Sequence, residues 1–213
     1  MKFDDFLQIV GKEPLFETGL LLSDDVDPSD VRRQLSRWVA TGKVVQLRRG
    51  VYVLASVYRK QTPHAFVMSN VLARPSYVSF RSALAFHGLI PESLSVTAAV
   101  TTAVTTRRPE SLETPRGAFQ FRHLSRRLFF GMVEIDVLPG QQALIARPEK
   151  ALLDLVYLTP RGDRPVFLES LPLQALDSLD LGLLQAYADR WQSPKMERAA
   201  AVIAALARIE ADE

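Results

Sequence analysis

Hydrophobic positions in the N-terminal part of the chain switch between helical and strand spacing. Phe3, Phe6, Leu7 and Val10 recur every three or four residues and predict a short amphipathic helix. Pro14 opens a second predicted helical segment, Leu15 to Leu22, which ends at Ser23-Asp24-Asp25. From Pro28 the spacing is helical again. At about 100° per residue, Val31, Leu35, Trp38 and Val39 form one apolar stripe. Ser29, Arg33, Ser36, Arg37 and Ala40 fall on the opposite face, with Arg32 on the flank. Asp27 is placed to cap this helix, Pro28 suits its first turn, and Asp30 adds negative charge at the positive end of the dipole. Gly42 marks its end. Two β-prone runs follow, Lys43 to Leu47 and Val51 to Leu54, around Arg48-Arg49-Gly50, where glycine permits a tight hairpin.

Residues 55–62 are weakly patterned and end at Pro63, which places a domain boundary between 62 and 63. Beyond it the chain predicts a helix from His64 to Ala73, a short strand at Tyr77-Val78-Ser79 and a helix from Ser82 to His87. Strands are expected over 94–104 from β-branched content and over 119–124 and 132–137 from clean alternation, with a further short candidate over 142–146. Pro148 starts a helix whose Ala151, Leu152, Leu155 and Val156 face a core, and a linker over 159–172 leads to two last helices near 178–191 and 195–210. The stripe Ala199, Val202, Ile203, Leu206 and Ile209 on the final helix is expected to pack on its own domain, or at a homodimer contact. The expected class is α+β: an N-terminal winged helix-turn-helix of three helices and a wing over residues 1–62, then an α+β domain over 63–213 with a mostly antiparallel sheet and terminal helices.

Charge sharpens the N-terminal reading. Net charge over the 213 residues is only +2, but its distribution is uneven. Residues 1–26 carry two lysines against six carboxylates, while 27–60 carry eight basic residues against Asp27 and Asp30. A basic helix running into a basic hairpin suits a winged helix on double-stranded DNA. Arg33 and Arg37, supported by Ser29, Ser36 and Arg32, would enter the major groove, and Lys43, Arg48 and Arg49 would hold phosphates. The bland alternative for Arg48-Arg49 is a solvated turn. Trp38 and Tyr52 are expected in packing rather than base stacking. There are no cysteines, which excludes disulfides and thiolate metal sites. The first residues lack the basic start of an export signal, and no apolar run approaches the ~18 residues of a membrane span, so a cytoplasmic protein is expected.

The run VRRQLSRWVATGKVVQLRRGVYVL, followed in order by YVSFRSALAFHGLIPES, VTTRRP, GAFQFRHL and ARPEKALLDLVYL, resembles AbiEi-type antitoxins of type IV, abortive-infection toxin–antitoxin systems. The resemblance covers residues from about 28 to 160 and is less distinctive over the last fifty. It implies a winged helix that represses its own operon by binding repeated operator sequence. It also implies a C-terminal domain that counteracts a nucleotidyltransferase-like toxin without requiring a stable complex. The protein would be a monomer or weak homodimer, with two copies possible on DNA. A stand-alone regulator, whose C-terminal domain senses a ligand or partner, is the first alternative.

No enzyme signature competes strongly. Arg107, Arg108, Arg116, Arg122, Arg126 and Arg127 outnumber Glu110 and Glu113 over 101–127, which reads either as solvated loops or as an antitoxicity or nucleic-acid surface, with Arg107 and Arg108 foremost. His87 sits at an apolar helix end and is expected to cap carbonyls rather than act as a base. The histidines lack metal-ligand spacing, and no cofactor or metal is expected. Lys150 and Asp154 form an i,i+4 pair. A metal-dependent nuclease built from Glu149, Lys150 and Asp154, with Glu134 and Asp136 on the preceding strand, is the remote alternative. There is no Gly-rich phosphate loop.

Overall fold

A computed structural model describes residues 1–22, 26–91 and 100–212. The chain opens with helix α1 (Phe3–Val10), strand β1 (Phe16–Glu17) and a 3-10 turn (Thr18–Leu21), then helix α2 (Pro28–Ala40) and the hairpin β2 (Val44–Arg48) and β3 (Val51–Leu54). Residues 15–22 are therefore not the continuous helix expected from their apolar content. Phe16 and Glu17 instead pair with Tyr52 and Val51, making a three-stranded sheet in the order β1-β3-β2. The expected stop at Ser23-Asp24-Asp25 lies outside the described residues.

Helix α2 begins and ends as its sequence predicts. The Asp27 carboxylate accepts the Ser29 N–H at 2.8 Å, and Pro28 occupies the first turn. Gly42 takes φ +69°, so the N–H groups of Gly42 and Lys43 fold back onto the carbonyls of Val39 and Trp38 and satisfy two terminal acceptors. Val31, Leu35 and Trp38 are buried against Phe6, Val10, Phe16, Tyr52 and Leu54, while Val39 is half-buried.

The remaining chain supplies α3 (Ala65–Leu72), β4 (Ser76–Val78), α4 (Phe80–Phe86), β5 (Val100–Thr105), β6 (Glu110–Thr114) and β7 (Gly117–His123). It continues through β8 (Met132–Leu138), β9 (Gln141–Ala146), α5 (Pro148–Leu158), α6 (Pro165–Glu169), α7 (Leu181–Arg190) and α8 (Pro194–Ala211). The six strands run β6-β7-β5-β4-β9-β8. The sheet is mostly antiparallel, as expected, but mixed: β4 pairs in parallel with β9 and β5 with β7, while the other three pairings are antiparallel. Strand β6 and the short helix α6 were not foreseen. The expected strand over 94–99 lies outside the described residues.

Alternation along the strands assigns the two faces of this sheet. Val104 points into a core shared with α4, α5, α7 and α8, whereas its neighbour Ala103 joins Phe119 and Phe121 on the other side. That second face is covered by Met68 and Leu72 of α3 and by Leu47, Val51 and Val53 of the hairpin. The hairpin is thus buried from both directions, with Val44, Tyr52 and Leu54 facing α1 and α2. Each part keeps a cluster of its own, residues 3–54 in the smaller and residues beyond 65 in the larger, and a third cluster is shared between them through the hairpin.

A polar network closes the larger core. Asp154 is fully buried and accepts hydrogen bonds from the hydroxyls of Tyr77 and Ser79, each at 2.8 Å, and from the buried ammonium of Lys150. Lys150 also donates to Tyr77 Oη at 2.9 Å and lies 4.5 Å from the Trp191 ring centre and 4.9 Å from that of Phe130. The i,i+4 pair read from the sequence is therefore interior rather than solvated. Burial drives the Lys150 ammonium down and the Asp154 carboxyl up, and each charge pulls the other back. Burial beside Asp154 pushes the Tyr77 hydroxyl well above its ordinary value, so it stays a donor. Glu149 turns the other way and accepts the Asp180 N–H at 3.0 Å, tying α5 to the start of α7.

Removing one partner would leave the other charge dry and alone. Lys150→Ala should lower unfolding stability by about 3–5 kcal/mol in urea titration. The double variant Lys150→Met, Asp154→Leu should recover most of that loss. A cost below about 1 kcal/mol for the single change would show that this pair is not held as charges.

Candidate nucleic-acid interface

The residues assigned to DNA separate into two groups. Ser29, Arg32, Arg33, Ser36 and Arg37 are all exposed along α2, and Arg49 is exposed at the hairpin turn. Ser29 Oγ donates to Asp27 at 2.6 Å and Ser36 Oγ to the Arg32 carbonyl at 2.9 Å, so both hydroxyls are turned onto their own helix. Arg33 pairs with Asp30 one turn earlier, at a largely exposed position where such a bridge contributes little. Arg32 and Arg37 make no ion pair among the described residues. They are the most available cations on the helix.

Lys43 and Arg48 lie elsewhere. Lys43 is half-buried, its Nζ 4.5 Å from the centre of the Phe3 ring. Arg48 donates to the Leu72 carbonyl and, at 3.0 Å, to Glu110 of β6. This guanidinium ties the hairpin to the six-stranded sheet instead of facing outward. Trp38 and Tyr52 are buried, as packing roles require. The hairpin turn itself is closed by Gly50 at φ +85°, whose carbonyl accepts the Thr18 N–H at 2.9 Å.

Beside the arginine face lies a cleft of about 730 Å³ between α1, the 3-10 turn and α2, lined by both apolar and charged side chains, Asp27 and Asp30 among them. Ile9, Leu20, Leu22 and Val26 are exposed there, and Arg33 and Arg37 form part of its wall. The periodic reading missed it because these residues lie outside the buried stripes.

The second basic cluster also divides. Strands β5 and β7 are parallel and end together at Thr105 and His123. Their exits bring Arg107, Arg108, Arg126 and Arg127, all exposed, to one end of the sheet. The Arg107 carbonyl is held by His123 Nδ1 at 2.9 Å. Arg116 sits in the β6–β7 turn at the other end. Arg122 projects from β7 on the helix side and donates to the Leu158 carbonyl at 3.3 Å.

The other candidate groups are structural by position. His87 caps α4 through its backbone N–H, which donates to the Ala83 carbonyl at 3.0 Å, and its ring Nε2 bonds the Ala146 carbonyl at 2.8 Å, bracing α4 against the end of β9. Asp154 is sealed in the interior and Glu149 is held by the Asp180 N–H, whereas Glu134 and Asp136 are exposed on β8, so the carboxylates of a nuclease are not brought together. Among the described residues no three His, Asp or Glu side chains converge as metal ligands, and no helix is long and apolar enough to cross a membrane. On α8, Ala199 and Ile203 are buried and Val202 and Leu206 partly so, but Ile209 is 59% exposed and does not belong to the packed stripe. Glu210 is engaged, accepting the N–H groups of Ala175 and Leu176 at 2.7 Å. No family model matches this chain, and a search of curated proteins finds no similar one.

Arg48→Ala should destabilise the fold by about 1–2 kcal/mol, read by urea unfolding, because a part-buried carbonyl and a carboxylate lose their donor.

Proposed function

We propose that this chain is a non-enzymatic, cytoplasmic transcriptional regulator that reads double-stranded DNA with the exposed face of α2. In this reading its first 62 residues are a winged helix. The order helix, strand, short turn of helix, helix, hairpin supports that assignment, with the 3-10 turn standing where a second full helix would be. The observation that carries the proposal is α2 itself. Arg32, Arg33 and Arg37 are exposed on a helix whose opposite side is anchored by Val31, Leu35 and Trp38. Arg37 is assigned to a base edge and Arg32 supports it, while Arg49 takes the phosphate role at the hairpin tip in place of Arg48. Lys43 is left to the Phe3 ring.

The ordered segments that resemble AbiEi-type antitoxins support a second layer of the proposal. The chain would repress its own operon, bound as two copies on repeated operator sequence, and residues 63–213 would counteract a nucleotidyltransferase-like toxin without a stable complex. The arginines gathered at the end of β5 and β7 are the surface assigned to that task. The alternative of a stand-alone, ligand-sensing regulator is favoured by a basic groove on the same unit, described below.

Fluorescence anisotropy on duplexes from the DNA upstream of the gene, against random duplex, tests the DNA reading. Arg37→Ala should lose about 1–3 kcal/mol of preference for the specific duplex. Arg49→Ala should weaken both duplexes alike and lower the salt slope by about one. Equal losses from both variants on both duplexes would sink the division of labour. For the antitoxin layer, co-expressing the full chain with an adjacent nucleotidyltransferase-like gene should restore growth, and Arg107→Ala, Arg108→Ala together should reduce the rescue. No rescue by soluble full-length protein would leave a regulator alone.

A further inference from the structure

The turn between β4 and α4 is held from every side. Ser79 donates its N–H to the Thr102 carbonyl at 3.1 Å and its hydroxyl to Asp154 at 2.8 Å, while its carbonyl accepts Thr102 Oγ1 at 2.9 Å. Ser82 Oγ accepts the Thr102 N–H at 2.9 Å. Between them Phe80 has φ +54°, a left-handed backbone that is costly for a bulky side chain and persists only where its surroundings fix it. This turn delivers Phe80 and Arg81 to the edge of a groove.

The groove, of about 150 Å³, lies between the α4–α5 layer and the β5–β7 half of the sheet. Arg81 and Arg122 line it together with the neutral polar groups of Thr102, Gln120 and Thr159, and with apolar walls from Phe80, Leu155 and Leu158. Among the described residues, no carboxylate lines it. Glu113, on the sheet face that carries Gln120, stands outside it on the edge strand. Arg122 is steadied by the Leu158 carbonyl and retains further N–H groups, and Arg81 makes no hydrogen bond or ion pair among the described residues. Two guanidinium groups at one concavity favour a shared anion with several acceptor oxygens.

We infer that this groove binds a small phosphate monoester, with the phosphate between Arg81 and Arg122 and the organic group against Phe80, Leu155 and Leu158. The enclosed space is below the usual ~300–1,000 Å³ of drug-sized sites, so the ligand is of pentose-phosphate size, or a nucleotide whose base projects outward. The site shares no residue with α2, and failure here leaves the DNA reading untouched.

Calorimetric titration of the full chain with ribose 5-phosphate, adenosine 5′-monophosphate, inorganic phosphate and neutral ribose tests the inference. Saturable binding of either ester, stronger than that of inorganic phosphate, is expected, with the two esters distinguishing sugar from nucleotide sources. Arg81→Ala should weaken it by about 10- to 100-fold without changing thermal unfolding, since Arg81 is exposed. Arg122→Ala should do likewise, and Arg208→Ala, exposed on α8, should have no effect. No binding of either ester, equal binding of ribose, or an equal loss in Arg208→Ala would overturn the assignment.

Discussion

Strand β3 is covered on both faces, and that double burial joins the proposed DNA-reading helix to the rest of the molecule. Tyr52 and Leu54 complete the small core beneath α2, while Val51 and Val53, with Leu47 of β2, cover Phe119 and Phe121 of the large sheet. Each such side chain taken out of water contributes about 1.5–3 kcal/mol. The interface between the two units is therefore apolar as well as bridged by Arg48 and Glu110 and by Arg74 and Glu17. A hairpin used in this way cannot swing as a free wing. Its exposed part is the turn around Arg49, and the orientation of α2 relative to the sheet is fixed before any partner arrives.

The same economy governs the larger unit. Lys150 and Asp154 occupy the middle of the helical core, where an unpaired charge would be severely penalised. Tyr77 and Ser79 meet them from β4 and its exit, so one network sets the end of a central strand, the start of α4 and the rotation of α5. That rigidity is what permits the strained backbone at Phe80, and with it the placement of Arg81 beside Arg122. Buried charge here acts through position, and the arginines proposed to meet ligands are exposed.

Much of this was legible in the residues, and the exceptions have physical causes. Helix α2 was readable in full because cap, apolar stripe and terminal glycine all agreed. The strands β7 and β8 were readable from alternation. The segment 15–22 was misjudged because its leucines fit a helix, while Phe16 and Glu17 are claimed by β3 across the chain. Arg48 could not be assigned locally, since Glu110 and Leu72 reach it only in the folded state. Strand β6 was invisible because its alternation is carried by Leu112 alone among charged and hydroxyl neighbours. The groove at Arg81 and Arg122 joins residues 41 positions apart, and the pairing of β5 with β7 is what brings them together.

The most direct test of the account is hydrogen exchange of the full chain, alone and with a duplex from upstream of its gene. Amides of β2 and β3 should already be slow without DNA, as expected for strands that open only with the global fold, and duplex should slow exchange in α2 and at the Arg49 turn. Protection that appears elsewhere while α2 is unchanged, or a hairpin that exchanges quickly in the free protein, would contradict it.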